Sequence, residues 1–196
     1  DGRTNDQKTI FYTALYHLHI HPNILQDFNG EYPAMESGKI LRTTGNRYTV
    51  FSLWDTYRNV HPLLSLLYPD MQLDMVHSML DMYRESGWLP KWELYSRETL
   101  TMEGDPSLVV LNDTWQRGLR NFDTALAYEA MTKSATLESA RNLMRPDNDD
   151  YLQLGYVPLR EKFDNSVSHA LEYYLADWNL AQFAKSMGKK DDYQLF

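Results

Sequence analysis

The chain has 196 residues, of which 43% are hydrophobic, and this is enough for one sizeable domain. Its mean hydropathy of −0.55, and the lack of any run near the ~20 apolar residues that cross a bilayer, exclude a membrane-embedded protein. A net charge of −8 without a basic patch argues against nucleic-acid binding, and the absence of cysteine excludes disulfides, thiolate catalysis and zinc–thiolate sites.

The first predicted helix runs from Asp6 to His19. Its apolar residues recur at helical spacing, and they are Ile10, Phe11, Ala14, Leu15 and Leu18. Pro22 ends this helix, because proline has no backbone N–H to donate. Residues 21–49 then form a long loop rich in glycine, proline and asparagine, with room for a short hairpin. Ordered loops of this length are often functional.

Two further helices are predicted in the next part of the chain. One covers Leu53 to Tyr68 with a kink at Pro62, and the other begins at the cap Asp70 and stops at Gly87. The second of them has an apolar face formed by Met75, Val76, Met79, Leu80 and Tyr83. Residues 88–105 form a second irregular segment, which carries Trp88, Trp92, Glu93, Glu98 and Asp105.

The C-terminal half of the sequence is also helical in its pattern. Helices are predicted from Pro106 to Gly118, from Thr124 to Ser134 and from Ser166 to Met187. Residues 136–165 are less regular, and Asp191 is predicted to cap a further helix. We find no convincing strand alternation and no period typical of helical repeat proteins. The predicted fold class is therefore all-α, and the missing period argues against a regular solenoid.

Three alternating histidines suggest a metal site at first sight. His17, His19 and His21 would share one face of a strand. The segment is predicted to be helical, however, and residues two apart on a helix point about 200° apart, so one ion cannot collect all three. We interpret them as ordinary histidines at a helix end.

The acidic run Asp147–Asp150 suggests a calcium loop. An EF-hand loop needs glycine at its sixth position and glutamate at its twelfth. Those positions are Leu152 and Pro158 here, so the pattern does not match. We interpret the run as a solvated turn that follows Pro146.

The segment Phe51–Arg58 combines an aromatic ring with a carboxylate. Aromatic residues make up 13% of the chain, and such rings cover the flat C–H faces of sugars. Trp54 could cover a sugar face while Asp55 accepts hydrogen bonds from two hydroxyls. The alternative is that Asp55 only stabilises the start of a helix.

A second segment of this kind is Trp88–Glu93. Pro90 holds its backbone extended and crowds two tryptophans, Lys91 and Glu93 into one loop. The alternative is a tryptophan-anchored loop with a surface pair between Lys91 and Glu93.

These segments resemble, in order, motifs of the family 92 α-mannosidases, and the resemblance covers nearly the whole chain. The matching segments are Phe11–Pro22, Phe51–Pro62, Gly87–Glu93, Gly104–Asp105, Ala127–Ser134, Gly155–Pro158 and Ser166–Lys189. The order and spacing of several independent motifs make the resemblance specific.

The resemblance implies a particular fold and activity. The fold is an (α/α)6 barrel catalytic domain behind an N-terminal β-sandwich domain. Residues 1–196 would form about the first half of the barrel, with the other half and the β-sandwich domain outside this chain. The activity is inverting hydrolysis of terminal α-mannosides, assisted by a calcium ion. The implied partner is a mannose-terminated glycan, and the implied location is the periplasm or cell surface of a bacterium, although this chain carries no signal peptide.

Two departures from the family pattern limit the site assignment. The family's acid, base and calcium ligands belong mainly to later motifs, such as a Gly-Asn-Glu-Pro-Ser-His-His type segment that this sequence lacks. The catalytic and metal-binding residues are therefore unassigned. Pro106 stands where the family has histidine, which weakens a substrate role for Asp105.

The residues predicted to build part of the mannose pocket are Trp54, Asp55, Lys91, Trp92 and Glu93. The two carboxylates would accept hydroxyl hydrogen bonds, the tryptophans would wall the ring, and the lysine would donate to an oxygen. The alternatives are another (α/α)-barrel glycosidase, a non-catalytic carbohydrate-binding or scaffold domain, and a helical interaction module without a ligand.

Half a barrel should expose apolar residues at its open edges. On the Ser166–Met187 helix these would be Tyr174, Trp178, Ala181 and Phe183, and on the first helix Phe11 and Leu15.

Overall fold

The computed structural model describes residues 4–159 and 165–196. Within these ranges the helices are α1 (Asn5–His17), α2 (Leu53–Thr56), α3 (Val60–Leu67), α4 (Pro69–Ser86), α5 (Pro106–Gln116), α6 (Thr124–Thr136), α7 (Asn148–Leu154), α8 (Ser166–Ser186) and α9 (Lys190–Leu195). The strands are β1 (Asn23–Ile24), β2 (Glu31–Pro33), β3 (Ile40–Arg42), β4 (Tyr48–Thr49), β5 (Phe51–Ser52), β6 (Trp92–Leu94) and β7 (Arg97–Glu98). None of the helices described is long and apolar enough to span a membrane.

The mostly helical class predicted from the sequence is confirmed. All strand pairs are antiparallel and short, and they join β1 to β4, β2 to β3, and β5 to β6 to β7. Four of the strands lie in the predicted loop 21–49, and two lie in the irregular segment 88–105. They organise the loops that connect the helices, so the two irregular segments of the sequence are ordered.

The predicted second helix is two helices, α2 and α3, rather than one kinked helix. Pro62 lies in the first turn of α3, where its missing N–H has no helical partner to lose. The cap positions predicted for Asp70 and Asp191 are also wrong. Both lie inside the first turn, of α4 and α9 respectively, where the helix dipole favours a negative charge.

The predicted turn after Pro146 is also corrected by the structure. Residues Asn148–Leu154 form α7, and Asp147 is only 2% exposed instead of solvated. Its carboxylate accepts a hydrogen bond of 2.7 Å from the Tyr173 hydroxyl on α8. The rest of the segment 136–165 includes residues 160–164, which lie outside the described residues.

The core forms where α4, α5, α6 and α8 pack together. The predicted apolar face of α4 is confirmed, because its five residues are all buried: Met75, Val76, Met79, Leu80 and Tyr83. Gly87 ends this helix with a left-handed φ of 82°, a conformation that costs glycine little. On α8 the same core receives Ala176, Leu180 and Phe183. α8 contacts α5, α6 and α9, so it is a central helix of this scaffold.

The exposed apolar surface lies on two helices. None of the residues of α1 is buried, and Phe11 is 59% exposed, while Leu15 is half-buried. On α8 an apolar row remains exposed at helical spacing, formed by Val167, Leu171, Tyr174 and Trp178. The exposure predicted for Tyr174, Trp178 and Phe11 is confirmed. The exposure predicted for Ala181 and Phe183 is wrong, because these residues face α5 and the core, where they are 4% and 0% exposed.

A chain of polar side chains crosses the core between α3, α4 and α5. His61 is 1% exposed, and its Nδ1 lies 2.9 Å from the Gln72 side-chain oxygen. The Gln72 amide donates to the Thr114 hydroxyl at 2.9 Å. Burial lowers the pKa of His61 from 6.5 to about 4, although Gln72 and the nearby Asp113 charge act in the opposite direction. The imidazole is therefore neutral at pH 7.

We expect His61 to make the protein less stable in mild acid. Below pH 6.5 the unfolded chain binds a proton that the folded chain takes up only near pH 4, so stability falls as the pH decreases between these values. The loss approaches about 3 kcal/mol at the lower end. Urea unfolding at pH 7 and pH 4.5 should show a smaller pH effect for His61→Gln than for the wild type. The control His77→Gln, at an exposed position on α4, should keep the wild-type pH effect, and an unchanged effect in His61→Gln would contradict the assignment.

Candidate functional site

The strand pair β5–β6 joins the two tryptophan-containing segments of the sequence. Phe51 pairs with Glu93, and Ser52 pairs with Trp92. Because successive residues of a strand point to opposite faces, Ser52 and Trp92 share one face of this pair. Phe51 and Glu93 share the other face, where both are fully buried. The structure therefore brings the two predicted segments together and turns Glu93 away from Trp92.

Trp54 and Asp55 lie in the short helix α2, which follows β5 directly. Asp55 is exposed, and one of its carboxylate oxygens accepts a hydrogen bond from the Ser52 hydroxyl. Trp54 is half-buried, and its indole N–H donates to Glu172 on α8 at 3.1 Å. Ser52 therefore connects the two segments, because it pairs with Trp92 and donates a hydrogen bond to Asp55. Trp54, Asp55 and Trp92 are the three predicted site residues that keep accessible surface.

Lys91 is buried beneath this surface with only 3% exposure. Its ammonium group donates to the Met144 carbonyl at 2.9 Å, and burial lowers its pKa although nearby carboxylates act in the opposite direction. The backbone N–H groups of Lys91 and Trp92 both donate to the Glu98 carboxylate, at 2.8 and 3.0 Å. The Glu98 carboxylate therefore fixes the backbone at the start of β6.

Glu93 is a fully buried carboxylate that accepts three internal hydrogen bonds. They come from the Thr49 hydroxyl at 2.8 Å, the Val50 N–H at 2.9 Å and the Ser96 N–H at 2.5 Å. Burial raises the pKa of Glu93, and these three donors oppose that shift. The alternative of a surface pair between Lys91 and Glu93 is wrong, because both side chains are buried and bonded to other groups.

The backbone around Glu93 adopts conformations that side chains usually avoid. Val50, Tyr95 and Ser96 have left-handed φ values of 64°, 47° and 66°. For the β-branched Val50 this conformation is a rare outlier, and such strain concentrates at functional sites. Two of these residues donate their N–H groups to Glu93, and Tyr95 donates to the Thr49 hydroxyl at 3.0 Å. The buried carboxylate thus holds the strained backbone in place.

A second buried polar network lies behind the loop 88–105. Arg145 is 0% exposed and contacts Asp105 at 3.2 Å and Asp177 at 2.8 Å. Burial alone would lower the pKa of the Arg145 guanidinium, but the two carboxylates raise it, and the net direction is upward. The hydroxyls of Ser134 and Tyr151 donate to Asp105 and Asp177. Asp105 occupies the N-cap position of α5 but makes no side-chain cap bond, because its carboxylate faces Arg145.

The sequence did contain one signal for this network. Asp177 lies on α8 in helical register with the buried residues Ala170, Tyr173 and Leu180. A carboxylate on an apolar face predicts a buried cationic partner, because an unpaired charge in a core is very costly. Arg145 itself gives no such signal, since it follows an irregular segment with no apolar period.

No set of three or more His, Asp or Glu side chains within residues 4–159 and 165–196 is close enough to hold a metal ion. His17 ends α1, and His19 packs edge-on against the Tyr68 ring at 5.0 Å.

The mostly helical scaffold thus joins, through the β5–β6 pairing, two segments that carry tryptophan and carboxylate side chains. The model of the glycosyl hydrolase family 92 catalytic domain matches residues 1–196. The chain therefore belongs to this family, and the predicted resemblance is confirmed.

Solved structures of two bacterial enzymes share this fold. The family GH92 α-mannosidase BT3965 of Bacteroides thetaiotaomicron, solved alone and with mannoimidazole, is 40% identical with a TM-score of 0.85 over 96% of this chain. The family GH92 inverting mannosidase BT2199 of the same organism is 34% identical with a TM-score of 0.88 over 98% of this chain. The prediction of part of an (α/α)6 barrel is confirmed by this likeness.

A relative from a fungus matches more distantly. An uncharacterized secreted glycosidase of Arthroderma benhamiae is 25% identical over 198 residues, which cover 93% of this chain and 20% of that protein. The two solved enzymes are likewise matched over only 24–26% of their chains. The chain thus spans a fifth to about a quarter of the length of these relatives.

Proposed function

We propose that the protein containing this chain is an exo-α-mannosidase that releases terminal α-linked mannose from glycans or mannans. Membership of the family and the likeness to two mannosidases support this activity. One observation carries the proposal for this chain. The β5–β6 pairing places Trp92 beside the segment that presents Trp54 and Asp55.

Three residues of this surface have the chemistry to contact a mannose. Asp55 is exposed and has one carboxylate oxygen engaged by Ser52, so its second oxygen can accept a sugar hydroxyl. Trp54 and Trp92 can wall the apolar C–H faces of the ring. We therefore assign the direct contacts in this part of the pocket to Trp54, Asp55 and Trp92.

Lys91 and Glu93 support the same pocket from the protein interior. With 3% and 0% exposure, neither residue presents surface to a ligand in the described structure. Lys91 ties β6 to the Met144 backbone, and Glu93 holds the strained turn beside β5. We propose that both residues hold the pocket wall in place. This supporting role replaces the direct contacts to the sugar that the sequence predicted for them.

The proposed reaction is inverting hydrolysis assisted by calcium. Inversion needs an acid and a base about 6.5–9.5 Å apart, with a water activated opposite the leaving group. We propose that these two groups and the calcium ligands come from outside residues 1–196. The likeness to BT2199, an inverting mannosidase, supports the stereochemical part.

The rest of the proposed protein would cover the exposed faces of this chain. The row formed by Val167, Leu171, Tyr174 and Trp178 on α8 has the spacing of a helix-packing face. We propose that a helix from the other barrel half packs there, and that α1 lies against the N-terminal β-sandwich domain. The similarity to a secreted glycosidase supports export. We propose that the protein lies in the periplasm or at the cell surface of a bacterium.

The proposal predicts a large loss of activity for Asp55→Ala in the full-length protein. An aryl α-mannoside assayed with calcium should be hydrolysed by the wild type, and a chelator should abolish turnover. One lost hydrogen bond to a charged group, at about 1.5–3 kcal/mol, lowers kcat/KM by about ten- to a hundredfold. Residues 1–196 alone should match the buffer blank.

The matched control is Asp113→Asn on α5. This carboxylate is partly exposed and pairs with Arg117 at 2.7 Å, so its loss should leave kcat/KM near the wild-type value. Mannoside binding without turnover by the full-length protein would favour a carbohydrate-binding domain. Wild-type kinetics for Asp55→Ala would remove this segment from the pocket.

A further inference from the structure

Trp54 is held by contacts on its edge and on one face. Its indole N–H donates to the Glu172 carboxylate at 3.1 Å, across 118 residues of sequence. The Arg58 guanidinium carbon lies 4.6 Å from the centre of the indole ring, a distance typical of cation–π stacking. Arg58 thus covers one face of the ring, and the half-buried indole also packs against the core cluster. The orientation of the indole depends on the edge bond to Glu172.

The Glu172 carboxylate is the point where these contacts meet. One oxygen accepts from Trp54 and from Arg58, at 3.1 Å each, and the other accepts from the Tyr57 hydroxyl at 3.3 Å. The side chain is only 16% exposed, so water screens these interactions weakly. A single carboxylate on α8 therefore holds three side chains of the segment from Trp54 to Arg58.

The Cβ of Glu172 also lies against the loop 88–105, which carries Trp92. Gly104 ends the loop 88–105 with a φ of +72°. A Cβ added there would lie 2.4 Å from the Glu172 Cβ, which is closer than real side chains approach. Only glycine lets the end of this loop pack this closely against α8. Glu172 is thus in contact with both loops that form the candidate site.

We propose that Glu172 is a positioning residue of the sugar pocket. It acts through Trp54, whose half-buried indole it holds in the orientation in which its accessible part contacts the bound sugar. This inference rests on the proposed function, because it requires that Trp54 contacts the substrate. Glu172 takes no part in the chemical step, and its loss should weaken substrate binding more than turnover.

The test is a double-mutant cycle on the Michaelis constant of the full-length enzyme with an aryl α-mannoside. Glu172→Leu should raise KM about tenfold with little change in kcat, since one hydrogen bond to a charged acceptor is lost. Glu172→Gln keeps an acceptor oxygen for the indole N–H and should stay within about threefold of the wild type. Trp54→Phe removes the donor and should raise KM by itself. In the Trp54→Phe background, Glu172→Leu should have no further effect on KM.

Each other outcome overturns a different statement. An equal KM effect of Glu172→Leu in both backgrounds would show that Glu172 acts through the fold and not through Trp54. A normal KM for Glu172→Leu, with a raised KM for Trp54→Phe, would overturn the positioning role and leave the proposed function intact. A normal KM for Trp54→Phe would overturn both.

A matched control tests whether the loss of a carboxylate elsewhere in the chain also raises KM. Glu129→Leu on α6 removes an acceptor that receives the Tyr83 hydroxyl at 2.9 Å, away from the Trp54 contacts. This variant should keep the wild-type KM. Thermal unfolding of every variant should remain cooperative, so that a raised KM reports on the pocket of folded enzyme.

Discussion

Arg145→Met should be the most destabilising single substitution in this chain. It removes the buried cation that neutralises Asp105 and Asp177, at 3.2 and 2.8 Å, and leaves two carboxylates without their charge partner. Breaking a buried ion pair in this way costs about 3–5 kcal/mol, which is a large share of a typical domain stability of about 5–15 kcal/mol. Urea unfolding followed by circular dichroism should show the midpoint falling steeply, or no folded baseline.

Two further variants decide whether charge is the cause. Arg141→Met removes an exposed arginine that pairs with Glu138 on the surface, and it should leave the midpoint near the wild type. The triple variant Arg145→Met, Asp105→Asn, Asp177→Asn removes the uncompensated charges and should recover much of the lost stability. Failure of the triple variant to recover any stability would show that the packing of Arg145 against the Tyr173 ring, and not its charge, is essential.

Glu93→Leu should have the second largest effect on stability. The substitution leaves the Thr49 hydroxyl and the N–H groups of Val50 and Ser96 buried without an acceptor. Each buried unsatisfied group costs about 1–3 kcal/mol, so the free energy of unfolding should fall by at least about 3 kcal/mol. The same bonds hold Val50 at a φ of 64°, and their loss should release this strained backbone.

Glu93→Gln separates the hydrogen bonds from the charge. Glutamine keeps one acceptor oxygen and removes the buried charge whose burial raises the pKa of Glu93. It should therefore be clearly more stable than Glu93→Leu in urea unfolding at pH 7. Glu31→Leu, at a partly exposed position on β2 where the carboxylate pairs with Arg42, should change stability little. Equal stability of the leucine and glutamine variants would contradict the role assigned to these bonds.

The sequence by itself determined most of the longer helices and the buried face of α4. The apolar face of α4 and the stop at Gly87 are local patterns, because residues three and four apart lie on one side of a helix. Proline at the start of α5 is a local signal of the same kind. The order of the tryptophan-containing motifs along the chain was enough to indicate the family, since a motif is read without knowing its surroundings.

Only the tertiary structure decided which polar residues are buried and which of them meet. β5 has two residues, and a strand of that length has no period by which a sequence could reveal it. Its pairing with β6 turned Glu93 inward and left Asp55 at the surface. The acceptor Glu172 lies 118 residues after Trp54, and Arg145 lies 40 residues after Asp105. Whether a charge is buried depends on such distant partners, because burial without them is too costly, and only the folded chain brings them within hydrogen-bonding distance.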